Sequence, residues 1–227
     1  VTDIGFMREI GVTEQAAIGY ISLLYLFFFM AGFSYTRGAQ ILIAQKDGQK
    51  KHKAIGLILD NMLVVLMGVA TLLWLILFFW GRAILEAILQ DPEVIEASYA
   101  FLNIRKWGFF ASFLGSAMIA FYSGIGRTKI LAVAIITMSV TNIFMNWVLI
   151  FGHFGFPALG IKGAAYASNL AEILSTAIMI IGLGVLKLRE KNHLFYFQKI
   201  TKDIIYKITN LSFPLVVQTL IGLAAWV

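Results

Sequence analysis

The sequence predicts an all-α fold, a polytopic transmembrane helical bundle, and three observations carry that prediction. Apolar side chains make up 60% of the 227 residues and 20 glycines join them, about 69% together against roughly 45–50% in soluble domains. Charged residues fall to 13%, where a soluble domain holds roughly 25%. Apolar stretches recur along the chain, each of the roughly 20 residues or more needed to cross a bilayer. A water-soluble fold is excluded. Cysteine is absent, which removes disulfides, thiolate metal sites and thiol catalysis. The net charge of +6 does not signal a nucleic-acid partner, because the 18 Lys and Arg sit mostly in short gaps and form no continuous patch.

Polar interruptions divide the chain into runs at 14–45, 54–80, 94–125, 130–151 and 161–185, and a last run from 204 that is cut off. At about 1.5 Å per residue each complete run reaches roughly 30 Å or more. Unpaired backbone cannot face lipid, so runs of this length are helices. Residues 1–10 read as the outer end of a further helix stopped by Gly11-Val12, which makes seven helices with the first and last incomplete. Without an initiating methionine, and with apolar sequence at both ends, the chain reads as a fragment of a longer protein.

Orientation follows from the cations. The gaps 46–53, 126–129 and 186–207 hold 12 of the 18 Lys and Arg, and the alternate gaps hold few, so the first set faces the cytosol by the positive-inside rule. The N-terminus preceding residue 1 is then cytosolic. Small residues recur at helical spacing, as in Gly160, Gly163, Ala164, Ala167 and Ala171, and suit close helix packing.

No enzyme motif is present: there is no HExxH and no GxSxG, and His52, His153 and His193 lie in separate loops. Gly124-Ile125-Gly126-Arg127 lacks the third glycine of a phosphate loop and no strand precedes it, so it reads as a tight turn. Polar groups inside the spans are more informative, because a charge at depth costs about 2.5–3.5 kcal/mol on insertion scales. By residue count from the predicted outer turns, Asp3 lies roughly 12 Å deep, Asn142 roughly 15 Å, Asn146 roughly 9 Å and Glu172 roughly 18 Å. Asn142 and Asn146 are i and i+4, hence on one helix face. A carboxylate beside amides in a half-buried cavity suits a proton or cation site. The alternative is structural: the amides bond neighbouring helices, and Glu172 pairs with an Arg or Lys. Arg37 and Asp60 both reach the cytosolic interface, where a pair between them is possible. Arg105 and Lys106 lie inside 94–125 without an assigned role.

Several pieces together resemble the multidrug and toxic compound extrusion (MATE) transporters. They are Thr2-Asp3-Ile4 through Gly11, followed by Ala16-Ala17-Ile18-Gly19; the run Gln40 to Gln45 before Gly48; Gly124 to Lys129; Asn142 to Asn146 with Leu149-Ile150-Phe151-Gly152; and Gly155-Phe156-Pro157 with Leu159 to Ala165. Their order spans essentially the whole chain. The resemblance implies twelve helices in two six-helix lobes around a central cavity, exporting organic cations against an inward flow of H⁺ or Na⁺. Residues 1–187 would form the N-terminal lobe, from the end of helix 1 through helix 6, 188–203 a cytosolic inter-lobe linker, and 204–227 a truncated helix 7 of the second lobe. Asp3 falls on the family's first-helix coupling acid and Asn142 on the amide beside it. Asn146 stands where some members carry a second aspartate, and Gly222 where some place a glutamate.

The expectation is therefore a secondary antiporter of the bacterial plasma membrane type that exports drugs or organic cations, not an enzyme. Asp3, Asn142, Asn146 and Glu172 would serve the coupling ion or proton, and Asp3, Asn142 and Asn146 would line the substrate cavity. No cofactor or metal is expected beyond H⁺ or Na⁺ as the coupling ion. The partners are a small, cationic substrate, membrane lipid and the second lobe of the same chain. Two rivals stand: a lipid-linked oligosaccharide flippase of the same superfamily, which Arg37, Arg105 and Lys106 would support, and a membrane scaffold without transport.

Overall fold

The computed structural model of the chain describes residues 11–197 and 199–225. Asp3 and the helix end expected at 1–10 lie outside the described residues. Among the described residues eight α-helices follow one another: α1 (Val12–Gly48), α2 (His52–Ile88), α3 (Pro92–Arg105), α4 (Gly108–Gly124), α5 (Lys129–Phe151), α6 (Ile161–Val185), the single turn α7 (Leu188–Lys191) and α8 (Lys202–Ala224). No strand occurs among the described residues. Five of the helices, α1, α2, α5, α6 and α8, are long and apolar enough to cross a membrane.

Each apolar run becomes a helix because its backbone must bond internally once water is excluded. The two longest helices hold 37 residues each, about 55 Å by the helical rise, and so exceed the hydrocarbon core. Helix α4 sits at the centre, packed by α1, α2 and α6. Its Phe109, Phe113, Phe121 and Tyr122 are fully buried. The outer helices turn large apolar side chains outward, among them Leu72 and Phe79 on α2, Ile136 and Val140 on α5, and Ile181 on α6. Such faces are stable only against lipid or further protein.

The run expected as one span at 94–125 is divided at Lys106-Trp107. The backbone keeps right-handed helical angles through both residues. Its hydrogen bonding tightens there: the Lys106 N–H still reaches Leu102 O (2.9 Å), while the Trp107 N–H takes Ile104 O (3.3 Å), one residue nearer. The physical reason lies in the side chains. Arg105 and Lys106 are both buried, and a Cβ on Gly108 would collide with the Arg105 guanidinium, the Asn169 Oδ1 and the Tyr25 hydroxyl. The missing side chain of Gly108 thus admits a polar cluster where an unbroken apolar helix would have none. Upstream, α3 starts on Asp91, whose Oδ1 accepts the Glu93 N–H (2.9 Å), with Pro92 at the first helical position.

Asp60 and Arg37 do not pair. Arg37 is exposed, its guanidinium 5.2 Å from the centre of the Phe33 ring. Asp60 is buried, and its carboxylate accepts the backbone N–H groups of Phe195 (2.9 Å) and Phe197 (2.8 Å). The neighbouring Asn61 extends the hold: its Oδ1 accepts the Thr201 N–H (2.8 Å) and its Nδ2 donates to Lys199 O (3.0 Å). Two consecutive side chains of α2 therefore strap the segment between α7 and α8 by its backbone. Helix α8 in turn packs on α1, where Ser34 donates to Thr219 (2.8 Å) and Ser212 to Tyr35 O (2.6 Å).

Helices α1 and α7 close with the same turn. The Lys51 N–H bonds Lys46 O (2.9 Å) and the Lys50 N–H bonds Asp47 O (2.9 Å). After α7 the Leu194 N–H bonds Arg189 O (3.0 Å) and the His193 N–H bonds Glu190 O (3.3 Å). This is the Schellman pattern, whose left-handed position glycine normally fills. Here Lys50 (φ 56°) and His193 (φ 52°) fill it, at a cost of about 1–2 kcal/mol each.

Candidate functional site

A cavity of about 450 Å³ opens between α1, α3, α4, α5 and α6, within the size range of small-molecule sites. Most of its wall is apolar, from Leu26 and Phe29 on α1 to Ile135 and Met138 on α5 and Met179 on α6. One side is polar, and it is assembled by the break between α3 and α4. Arg105, the last residue of α3, pairs bidentately with Glu172 of α6, one nitrogen at 3.0 Å and the other closer. The same guanidinium donates to Asn169 Oδ1 (2.6 Å) and lies 3.8 Å from the centre of the Tyr25 ring. Asn169 is itself fixed by donating to Ile104 O (2.8 Å).

Glu172 gains two further donors. The Ser112 hydroxyl donates to it (2.6 Å), and the Tyr25 hydroxyl lies 2.7 Å from Ser112 and 3.4 Å from the carboxylate. The Tyr25 ring stacks on Phe109 with centroids 4.3 Å apart. The Arg105 and Glu172 side chains are only 10% and 18% exposed. Among the described residues that line the cavity they are the only charged ones, so the wall is polar yet electrically balanced. Paired charges and satisfied donors are what make polar groups tolerable at this depth.

The amide pair sits beside this wall. Asn142 and Asn146 share one face of α5, and Asn146 Nδ2 donates to Asn142 Oδ1 (3.3 Å). Asn142 Nδ2 then donates to the Ser168 hydroxyl (3.1 Å), and Ser168 lines the cavity. Asn146 is fully buried. The two amides thus reach the cavity through Ser168 rather than lining it themselves. Of the expected site residues, Glu172 lies in the cavity wall, Asn142 lies one hydrogen bond behind it and Asn146 a second bond further back, and Asp3 falls outside the described residues.

Sequence reasoning considered Arg105 only as a cation that would support a flippase, left the Arg or Lys partner of Glu172 unnamed, and gave Tyr25, Ser112 and Asn169 no role. The signal within reach was the charge balance: Glu172 and Arg105 are both charges inside apolar runs, and isolated charges at depth demand a partner. Tyr25, Ser112 and Asn169 carry no comparable mark. Among the described residues no group of three or more His, Asp or Glu side chains stands where it could hold a metal ion.

A bundle of membrane-length helices around a balanced, drug-sized cavity defines a multi-pass membrane protein. The MatE family model matches residues 1–148, and the chain belongs to that family. It is 31% identical over 201 residues to a protein of Rhizobium meliloti named probable multidrug resistance protein NorM, covering 86% of this chain and 41% of that one. It is 30% identical over 194 residues to the probable multidrug resistance protein YoeA of Bacillus subtilis, covering 85% of this chain and 40% of that one. The chain thus spans less than half the length of these relatives. In fold it superposes on a MATE protein crystallised in its bent conformation with TM-score 0.86 at 15% identity, over 96% of this chain and 48% of the other. A MOP superfamily transporter from Pyrococcus furiosus, described as having a binding pocket of reversed polarity, superposes with TM-score 0.82 at 15% identity, over the same shares.

Proposed function

We propose that the chain forms the N-terminal lobe, with the first helix of the second lobe, of a secondary antiporter that exports small, cationic drugs across a bacterial plasma membrane in exchange for H⁺ or Na⁺. Family membership supports the class. The observation that carries the reading is the cavity whose charged wall cancels itself. Arg105 takes up the charge of Glu172, so the cavity's charge is governed by an acid elsewhere in the lobe, and Asp3 is our candidate. Asn142 and Asn146 supply amide oxygens to a coupling ion. Residues 46–53 and 186–207 face the cytosol, and the N-terminus lies on that side.

In this scheme Asp3 holds a cationic substrate while ionised. A proton or sodium ion arriving from outside cancels that charge and weakens the hold, so that ion entry is coupled to substrate release. The flippase reading calls for a cavity lined with cations. Against it, Arg37 is exposed and outside the lining, Lys106 packs on Trp74 and Phe78, and Arg105 is neutralised.

Asp3→Asn in the full-length protein tests the scheme, because the amide keeps the size but cannot titrate. Efflux is followed in vesicles with H⁺ and Na⁺ gradients imposed separately. We expect gradient-driven efflux to be lost while membrane insertion stays intact. Wild-type pumping with wild-type ion dependence would make Asp3 a structural acid and return the coupling role to Glu172.

A further inference from the structure

A second concave feature lies far from the cavity, where the turn between α1 and α2 meets α7. It is a shallow hollow of about 630 Å³ walled by Lys50 and Lys51 from the turn, His52 and Lys53 from the first turn of α2, Lys191 from the end of α7 and His193 just beyond it. Among the described residues lining it, none is acidic. Asp47 and Glu190, the acids of these two segments, lie outside the lining. Neither a salt bridge nor a side-chain hydrogen bond engages the four ammonium groups among the described residues. His52 Nδ1 is buried without a hydrogen-bond partner.

Two segments nearly 140 residues apart in sequence thus bring like charges together. The repulsion among them is offset only by solvent and salt. The left-handed non-glycine residues of the turns that close α1 and α7, Lys50 and His193, lie at this hollow. The strap on Asp60 and Asn61 begins two residues beyond His193, so the α7 wall is held against α2 by bonds that do not involve the lysines. The fold therefore holds the two lysine-bearing segments side by side, with Lys50, Lys51, Lys53 and Lys191 exposed to solvent.

We propose that this hollow binds a phosphate-bearing anion, either the headgroup of an anionic phospholipid or a soluble polyphosphate. Convergent ammonium groups are a phosphate-binding arrangement, each acting as a point charge with freely rotating donors. Basic clusters next to the end of a membrane helix attract anionic headgroups in particular. The hollow adjoins the first turn of α2, and Ala54 and Leu57 give it an apolar floor suited to a lipid. A bound phosphate would cancel the repulsion and join the α1–α2 turn to α7.

The test uses the full-length protein and two charge-matched double variants. Lys51→Gln/Lys191→Gln removes one ammonium from each wall. Lys46→Gln/Lys199→Gln removes the same charge from the neighbouring end of α1 and the α7–α8 connection, outside the lining. Binding of phosphatidylglycerol is measured in phosphatidylcholine nanodiscs, and binding of inorganic pyrophosphate in neutral detergent. Both use about 0.15 M salt, where charges beyond about 8 Å are largely screened. The anion-free melting temperature of each variant reports its folding. We expect the hollow pair to lose about tenfold or more in affinity and the control pair less than about threefold. Loss confined to phosphatidylglycerol assigns the site to lipid, and loss confined to or shared by pyrophosphate assigns it to the phosphate itself. Equal losses in the two variants, or none in either, would overturn the proposal, because diffuse surface charge then accounts for all binding.

Discussion

Replacing Glu172 by Gln in the full-length protein isolates what the charge pair contributes. The amide keeps the volume and one acceptor oxygen, so Ser112 and Tyr25 retain a partner. The charge opposite Arg105 disappears. Arg105 keeps its bond to Asn169 Oδ1 and its place over the Tyr25 ring, in a site where its side chain is 10% exposed. Breaking a buried pair by removing one partner costs about 3–5 kcal/mol. The 18% exposure of Glu172 places the expectation at the lower end, about 3 kcal/mol, or roughly a hundredfold in the folded-to-unfolded ratio. Arg105→Met should cost a similar amount, by stranding the carboxylate. The double variant Arg105→Met/Glu172→Gln strands no charge and should fall within about 1 kcal/mol of wild type. Equilibrium unfolding in mixed micelles, run as a double-mutant cycle, measures all three. Single losses below about 1 kcal/mol that simply add would refute the reasoning. A double variant of wild-type stability that no longer pumps would also refute it, by showing that Glu172 acts in transport and not only in structure.

Asp60→Asn halves the acceptors offered to the Phe195 and Phe197 N–H groups and removes the charge from both bonds; we expect a loss of about 2 kcal/mol and faster proteolysis between residues 192 and 201, and unchanged cleavage would show that the strap does not hold this segment. Gly163→Ala sets a Cβ against the Leu149 carbonyl where α6 packs on α5, so the melting temperature should fall, with about 1–3 kcal/mol lost to overpacking. Gly184→Ala, which meets no atom within 4 Å, serves as its control, and equal melting of the two would refute the close-packing account.

Much of the fold was legible because lipid imposes a simple rule. An apolar run longer than the membrane has one way to satisfy its backbone, and the runs at 14–45, 130–151 and 161–185 became helices within a few residues of their expected ends, while the helix expected at 54–80 runs on to Ile88. The i, i+4 relation of Asn142 and Asn146 was readable for the same reason, since helical period alone fixes it. The division at Lys106-Trp107 was not. It depends on Arg105 finding Glu172, 67 residues away, and nothing in the local sequence names that partner. Asp60 shows the same limit: its depth was readable, but its partners are backbone N–H groups 135 and 137 residues further on. Local sequence signals a buried polar group, while its partner is fixed only by tertiary packing.

The strap has a mechanical consequence. Its last bond lands on the Thr201 N–H, and Thr201 immediately precedes α8, its carbonyl accepting the Ile205 N–H (3.2 Å). A flexible tether would allow its two ends to move independently over a distance that grows with the square root of its length. Here the connection between α7 and α8 has almost no slack, because it is gripped on α2 at Phe195, Phe197, Lys199 and Thr201. Any tilt of α8 must therefore drag α2 with it or break the strap from its Thr201 end. In the proposed two-lobe transporter, the passage between lobes would behave less like a leash than like a rigid crank, with α2 as its arm and Asp60-Asn61 as the pin.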